Sequence, residues 1–143
     1  MKRGAFAVLC LLALMAPAKA QTVVGPDSPC EQAGRDAEHA FALPVGLLGA
    51  IGKVESGRWD PGLGRVVPSP WAIDAGGQPY LSDNKASALQ VTRTLQDSGV
   101  HNIDVGCFQI NLHSHPTAFS DLEQAFDPVA NAQYAAKFLS SLH

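Results

Sequence analysis

A single carboxylate, Glu55, carries the clearest chemistry in this sequence. It stands near the end of Leu47-Leu48-Gly49-Ala50-Ile51-Gly52-Lys53-Val54-Glu55-Ser56-Gly57. Leu47, Leu48, Ile51, Val54 and Glu55 fall at i, i+1, i+4, i+7 and i+8, the spacing of one helix face. On that pattern the carboxylate shares the side that the apolar residues bury. Loss of water disfavours the charged form and raises a carboxyl pKa. An acid still protonated near neutral pH can donate a proton to a leaving group. Gly57 ends the helix and leaves space beside the acid. The alternative places Glu55 at the helix edge, pointing into solvent.

The other reactive side chains offer less. Asp60 and Asp74 are the nearest acids after Glu55. Asp60 precedes Pro61, where Asp is an ordinary turn former, and Asp74 closes an extended segment. His113-Ser114-His115 has the alternation of a two-histidine strand. No His-Glu-x-x-His, cysteine cluster or third ligand accompanies it, so no metal is expected and these read as loop histidines. No cofactor is expected either, since P-loop, dinucleotide and Gly-x-Ser-x-Gly patterns are missing from the sequence.

The elements that must position Glu55 can be read in order. Lys2 and Arg3, the apolar run Ala5 to Ala16 and the small-x-small site Ala18-Lys19-Ala20 form an export signal. Residues 1–20 are therefore expected to be removed, leaving one domain over 21–143 and a periplasmic or secreted location. Without Lys2, Arg3 and Lys19, seven of the ten basic residues face thirteen Asp and Glu. Nucleic acids and anionic membranes need clustered cations, so this acidic balance argues against both.

Ser28-Pro29-Cys30-Glu31 is a helix start with a capping box. Cys30, Ala33, Ala37 and Phe41 then share one face. Pro44 breaks this helix and opens the one that bears Glu55. Residues 57–70, rich in Gly and Pro, read as a loop. Trp71 to Asp74 and Gln78 to Leu81 flank Gly76-Gly77 as a hairpin, with Pro79 placing the second arm at an edge. Ser82 or Asp83 is the expected cap of a third helix that stops at Gly99. His101 to Val105 alternates as a short strand. Ser120-Asp121-Leu122-Glu123 starts a short helix, and Asp127-Pro128 starts the last, with Ala132, Ala135, Ala136 and Leu139 inward. The outline is α+β, mainly α, with a small β-hairpin or sheet.

Cys30 and Cys107 remain after the leader. An even pair in an exported chain suggests a disulfide, with two free buried thiols as the alternative. The bond would tie the first helix to the segment at Gly106.

Three segments resemble the lysozyme-like lytic transglycosylase family, of the soluble-transglycosylase type. The Glu55-Ser56 helix is similar to the family's helix ending in Glu-Ser. Asp104-Val105-Gly106-Cys107-Phe108-Gln109-Ile110-Asn111 is similar to its Gly-Leu-Met-Gln-Ile-Asn turn. Phe126-Asp127-Pro128-Val129-Ala130-Asn131, followed by Tyr134 to Leu139, is similar to its Asp-Pro-x-x-Asn helix. Either short motif alone is weak; all three in order are specific, over roughly residues 30–141. The cysteine pair fits the smaller, secretion-associated members.

The resemblance implies a lysozyme-like helical domain acting on peptidoglycan glycan strands between N-acetylmuramic acid and N-acetylglucosamine. It implies a one-carboxylate mechanism in which Glu55 is both acid and base, whereas hydrolytic designs need two carboxylates. It also implies a monomer working beside a secretion, pilus or flagellar apparatus. Ser56 is expected to bond the sugar's acetamido group, the alternative being a helix C-terminal hydroxyl satisfied locally. Gln109 is expected to approach Glu55 or the ring, the alternative being a structural turn amide. Gly106 would let its turn pass close to ligand, and Asn111 and Tyr80 are further candidate contacts, with a structural role for Asn111 and a core position for Tyr80 as the readings set against them. Asn131 and Asp104 are expected to hold loops. Trp71 reads as core, with stacking on a sugar ring as the alternative. Family domains continue into a helix with a Tyr-containing motif. The sequence ends at His143, so that helix is expected to be missing. A non-catalytic peptidoglycan-binding or assembly module, a hydrolytic muramidase and a small structural protein are the alternatives.

Overall fold

Ser28 opens the first helix as its sequence dictates. Its hydroxyl accepts from the Glu31 N–H at 3.3 Å, and the Glu31 carboxylate accepts from the Ser28 N–H at 2.9 Å. Helix α1 then runs Pro29–Ala40, with Cys30, Ala33 and Ala37 buried. The structure, a computed structural model, describes residues 26–142. The expected leader over residues 1–20 and the expected mature start at Gln21 lie outside the described residues.

Helix α2, Leu47–Ser56, begins at Gly46, which has no side chain with which to cap it. Glu38 on α1 satisfies those free donors instead. Its carboxylate accepts from the Gly46 N–H at 2.8 Å and the Leu48 N–H at 2.6 Å. A carboxylate is favourable at that end of a helix because the macrodipole is positive there. α1 therefore fixes the direction of the helix that carries Glu55.

Residues 57–70 correct the expected loop, because they contain a hairpin. Strands β1 (Gly57–Asp60) and β2 (Arg65–Pro68) pair antiparallel, with Trp59 opposite Val66. The turn signals lie between the strands: Asp60 Oδ1 accepts from the N–H groups of Gly62 at 2.8 Å and Leu63 at 3.0 Å.

Strands β3 (Ala72–Ala75) and β4 (Gln78–Leu81) form the expected hairpin. Gly76 and Gly77 both hold positive φ, 64° and 87°, as a tight two-residue turn requires. β4 is the edge of a sheet ordered β4-β3-β5-β6, and Pro79 sits on it. Helix α3, Lys85–Asp97, is capped by Asn84 and not by Ser82 or Asp83: the Asn84 oxygen accepts from the Ser87 N–H at 2.9 Å. Strands β5 (Ile103–Val105) and β6 (Ile110–Asn111) complete the sheet. Asp121, not Ser120, caps the single turn α4, Leu122–Ala125. Asp127 caps α5, Pro128–Ser140, through the Ala130 N–H at 2.8 Å.

The domain is α+β and mainly α, with five helices among the described residues. Two apolar cores divide it. Alanines from α1 and α5 meet Leu48, Phe108 and Ile110 in one. Ile73, Ile103, Val105, Leu89 and Phe126 join the sheet to α3 and α4 in the other. Phe119 packs against both. Cys30 and Cys107 are bonded and fully buried in the first core.

Candidate active site

Glu55 is exposed, which overturns the expectation of a sheltered acid. The buried face of α2 is Leu48, Gly52 and Ser56, spaced at i, i+4 and i+8. Val54 is 83% exposed, so the side it shares with Glu55 faces solvent. The reason is size. A Cβ on Gly52 would lie 2.9 Å from Pro68 Cγ and 3.2 Å from Phe108 Cε1, so the helix approaches its neighbours along its small residues. Glu55 borders none of the five best-formed cavities described on the surface. It forms no ion pair among the described residues.

Ser56 also departs from expectation. It is 7% exposed, and its hydroxyl donates to the Cys107 carbonyl at 2.7 Å while accepting from the Ser69 N–H at 3.2 Å. With donor and acceptor both used inside the protein, it is a structural bond and not a sugar contact. That bond ties the residue after Glu55 to the turn that carries Gln109.

Gly106 has a φ of 80°, as its turn requires, but the close neighbour is protein. An added Cβ would fall 2.6 Å from Asn131 Nδ2, so glycine makes room for Asn131 and not for ligand. Asn131 is fully buried. Its oxygen accepts from the Phe108 N–H at 2.9 Å, and its Nδ2 donates to the carbonyls of Val105 at 3.1 Å and Ala125 at 3.0 Å. It holds its loops as expected. Buried amides of this kind are costly to leave unpaired.

Gln109 occupies the left-handed region at φ 49°, rare for a non-glycine residue and a mark of local strain. Its Nε2 donates to the carbonyls of Gly106 at 3.0 Å and Ala72 at 3.2 Å, leaving only Oε1 outside these bonds. Asn111 is consumed entirely. Its Nδ2 donates to Asn102 at 2.7 Å and Asp104 at 2.8 Å, and its oxygen accepts from the N–H groups of His113 and Ser114. Of the two roles open to it, structural residue or ligand contact, these bonds give it the structural one. Tyr80 lies on edge strand β4, in a different sheet from β1, and borders none of the five cavities. Trp71 packs on the second core.

The neighbouring acids are engaged in turns. Asp60 holds its own turn, and Asp74 Oδ1 accepts from the Gly77 N–H at 2.6 Å. His115 meets the Tyr134 hydroxyl at 2.9 Å, while His113 tilts against His101. No group of three or more His, Cys, Asp or Glu gathers as a metal site among the described residues.

Glu38, Arg65 and Trp59 were not singled out by the sequence. An uncapped α2 demanding a remote acceptor was the available signal for Glu38. Trp59 was hidden by the reading of its segment as loop. Comparisons with protein families, curated proteins and solved structures return no match.

Proposed function

We propose that this chain is a peptidoglycan lytic transglycosylase with Glu55 as its one acid and base. The observation that carries this reading is the meeting of the three motif segments at one buried junction. Ser56 bonds Cys107, and Asn131 bonds Phe108 and Val105, so the Glu-Ser helix and the Asp-Pro-x-x-Asn helix both clasp the Gly106–Asn111 turn. The mainly helical α+β domain is the class that a lysozyme-like fold belongs to.

In this reading the Glu55 carboxylic acid donates its proton to the oxygen bridging the two sugars. The bond from that oxygen to the muramyl C1 breaks. The Glu55 carboxylate then removes the proton from the C6 hydroxyl, whose oxygen closes onto C1 as a 1,6-anhydro ring. No water is consumed and the carboxyl group is regenerated. An exposed Glu55 is compatible with these steps because a glycan laid over it would itself exclude water from the reacting groups. The turn bonds of Asp60 and Asp74 favour one carboxylate over the pair that hydrolysis needs. Export to the periplasm, a monomeric state and recruitment to a secretion, pilus or flagellar apparatus belong to the same proposal.

Digestion of purified peptidoglycan, read by mass spectrometry, tests it. Muropeptides ending in 1,6-anhydro-N-acetylmuramic acid are expected, and Glu55→Gln should lower their release by about 10²–10⁴-fold. Reducing muramyl ends instead would mark a muramidase. The solvent-facing Glu55 favours a second reading, a non-catalytic glycan-binding module. Under it, wild type releases no products and Glu55→Gln binds peptidoglycan as well as wild type.

A further inference from the structure

β1 carries an indole that neither core uses. Trp59 is 62% exposed, and its cross-strand partner Val66 is 46% exposed. Beside it lies a cavity of about 330 Å³, in the size range of small-ligand sites. Trp59 and Trp71 line it, with Arg58, Asp60 and Asp83 as its charged groups. Four prolines, Pro29, Pro61, Pro68 and Pro70, form much of the wall.

We infer that this cavity is a saccharide-binding site in which Trp59 stacks on a sugar ring. The indole presents a flat apolar face, which suits the C–H face of a pyranose. The polar groups point to a neutral, hydroxyl-rich ligand. Arg58 donates to the Ser82 carbonyl at 3.1 Å and lies 3.6 Å from Asp83. Asp60 already accepts two N–H groups of its own turn. Donors therefore stand next to acceptors without a strong field of one sign, an arrangement that hydroxyls can satisfy from both sides. The Asp83 side chain is 91% exposed and open to such bonds.

The walls argue against a peptide. Proline has no N–H, so an extended chain laid along these residues meets few backbone donors and finds no ladder to join. Fixed proline torsions also keep the cavity shaped before ligand arrives, which lowers the ordering cost of binding.

The cavity is close to the acid along the chain. Trp59 follows Glu55 by four residues, a span of at most about 14 Å. A glycan strand held by Trp59 can thus extend toward Glu55. That use of the cavity rests on the transglycosylase reading, whereas saccharide binding itself does not.

The test is binding of a soluble β-1,4-linked N-acetylglucosamine tetramer to the Glu55→Gln chain, by calorimetry and by ¹⁵N NMR of the two indole N–H groups. Saturable binding with a shift of the Trp59 indole is expected. Trp59→Ala, at an exposed position outside both cores, should weaken it about tenfold, roughly 1.4 kcal/mol. Val45→Ala, 94% exposed and outside this cavity, should bind unchanged. The proposal is overturned by no binding of the tetramer, by equal affinity of Trp59→Ala, or by loss in Tyr80→Ala with Trp59→Ala intact. Binding through Trp59 without glycan cleavage by wild type sinks the enzymatic reading alone. Cleavage without Trp59-dependent binding sinks only this one.

Discussion

Glu31 is the residue whose ionisation the fold controls most strongly. Arg65 bonds it through both guanidinium nitrogens, at 2.5 and 2.8 Å. Those bonds, with help from Ser28, outweigh burial and lower its pKa from 4.5 to about 2. Arg65 is held protonated in turn by the same bond. Because the unfolded carboxyl binds its proton more readily, stability from this pair is complete above about pH 5. It is lost as pH falls through the native value near 2. On linkage the contribution at neutral pH is on the order of 3 kcal/mol. Urea unfolding followed from pH 7 to pH 3 should therefore lose less stability in Glu31→Gln than in wild type, and parallel pH profiles would refute the pairing. Glu31 was legible as half of a capping box with Ser28. Its bond to Arg65, 34 residues away, was not, because nothing local in the sequence predicts which distant cation closes over a carboxylate. The same limit hid Ser56 and Asn131: their types and places were readable, but their partners come from other elements.

At the scale of elements, α2 shows where pattern reading fails and why. Bulky residues suggested a buried face through Leu48, Ile51 and Val54. Leu48 is buried and Ile51 packs on the first core, but Val54 is exposed. The closest approach follows Gly52 and Ser56 because a close-packed surface needs missing volume. This makes the two internal glycines opposite in sign. Gly49 has nothing within 4 Å of an added Cβ, so Gly49→Ala should stabilise by up to about 1 kcal/mol through helix propensity. At Gly52 the same gain meets the Pro68 ring at 2.9 Å, which cannot swing aside. Overpacking costs about 1–3 kcal/mol, so Gly52→Ala should be net destabilising. Thermal unfolding of the two variants should bracket wild type; a rise in Tm for both would show that the helix stands off its neighbours. The tight hairpin at Gly76-Gly77 and the caps at Ser28 and Asp127 were legible because each is set by residues within one turn. The β1–β2 hairpin was not. Its strands are four residues long and contain Gly, Arg and Pro, so alternation never outweighs the turn signals between them.

For the whole molecule, the question is what keeps two small cores in one cooperative unit. Phe119 touches both, and the Gly106–Asn111 turn leaves the sheet of one to bury Cys107 and Phe108 in the other. The disulfide reinforces that crossing, since it joins residues 77 apart, on α1 and on the turn. In the chain-entropy account, a loop of that size destabilises the unfolded state by about 4.5 kcal/mol. The native state needs the bond less. Ser56 and Asn131 hold the same turn by hydrogen bonds, and the first core packs around it. The Cys30→Ala, Cys107→Ala double variant should therefore keep the native fold and still unfold at a lower urea midpoint. Its m value should rise, because an uncrosslinked chain exposes more surface when it unfolds. Circular dichroism in water followed by urea titration distinguishes the outcomes. An unchanged midpoint would mean that the crosslink adds nothing to these bonds. A variant already unfolded in water would mean that they cannot hold the turn by themselves.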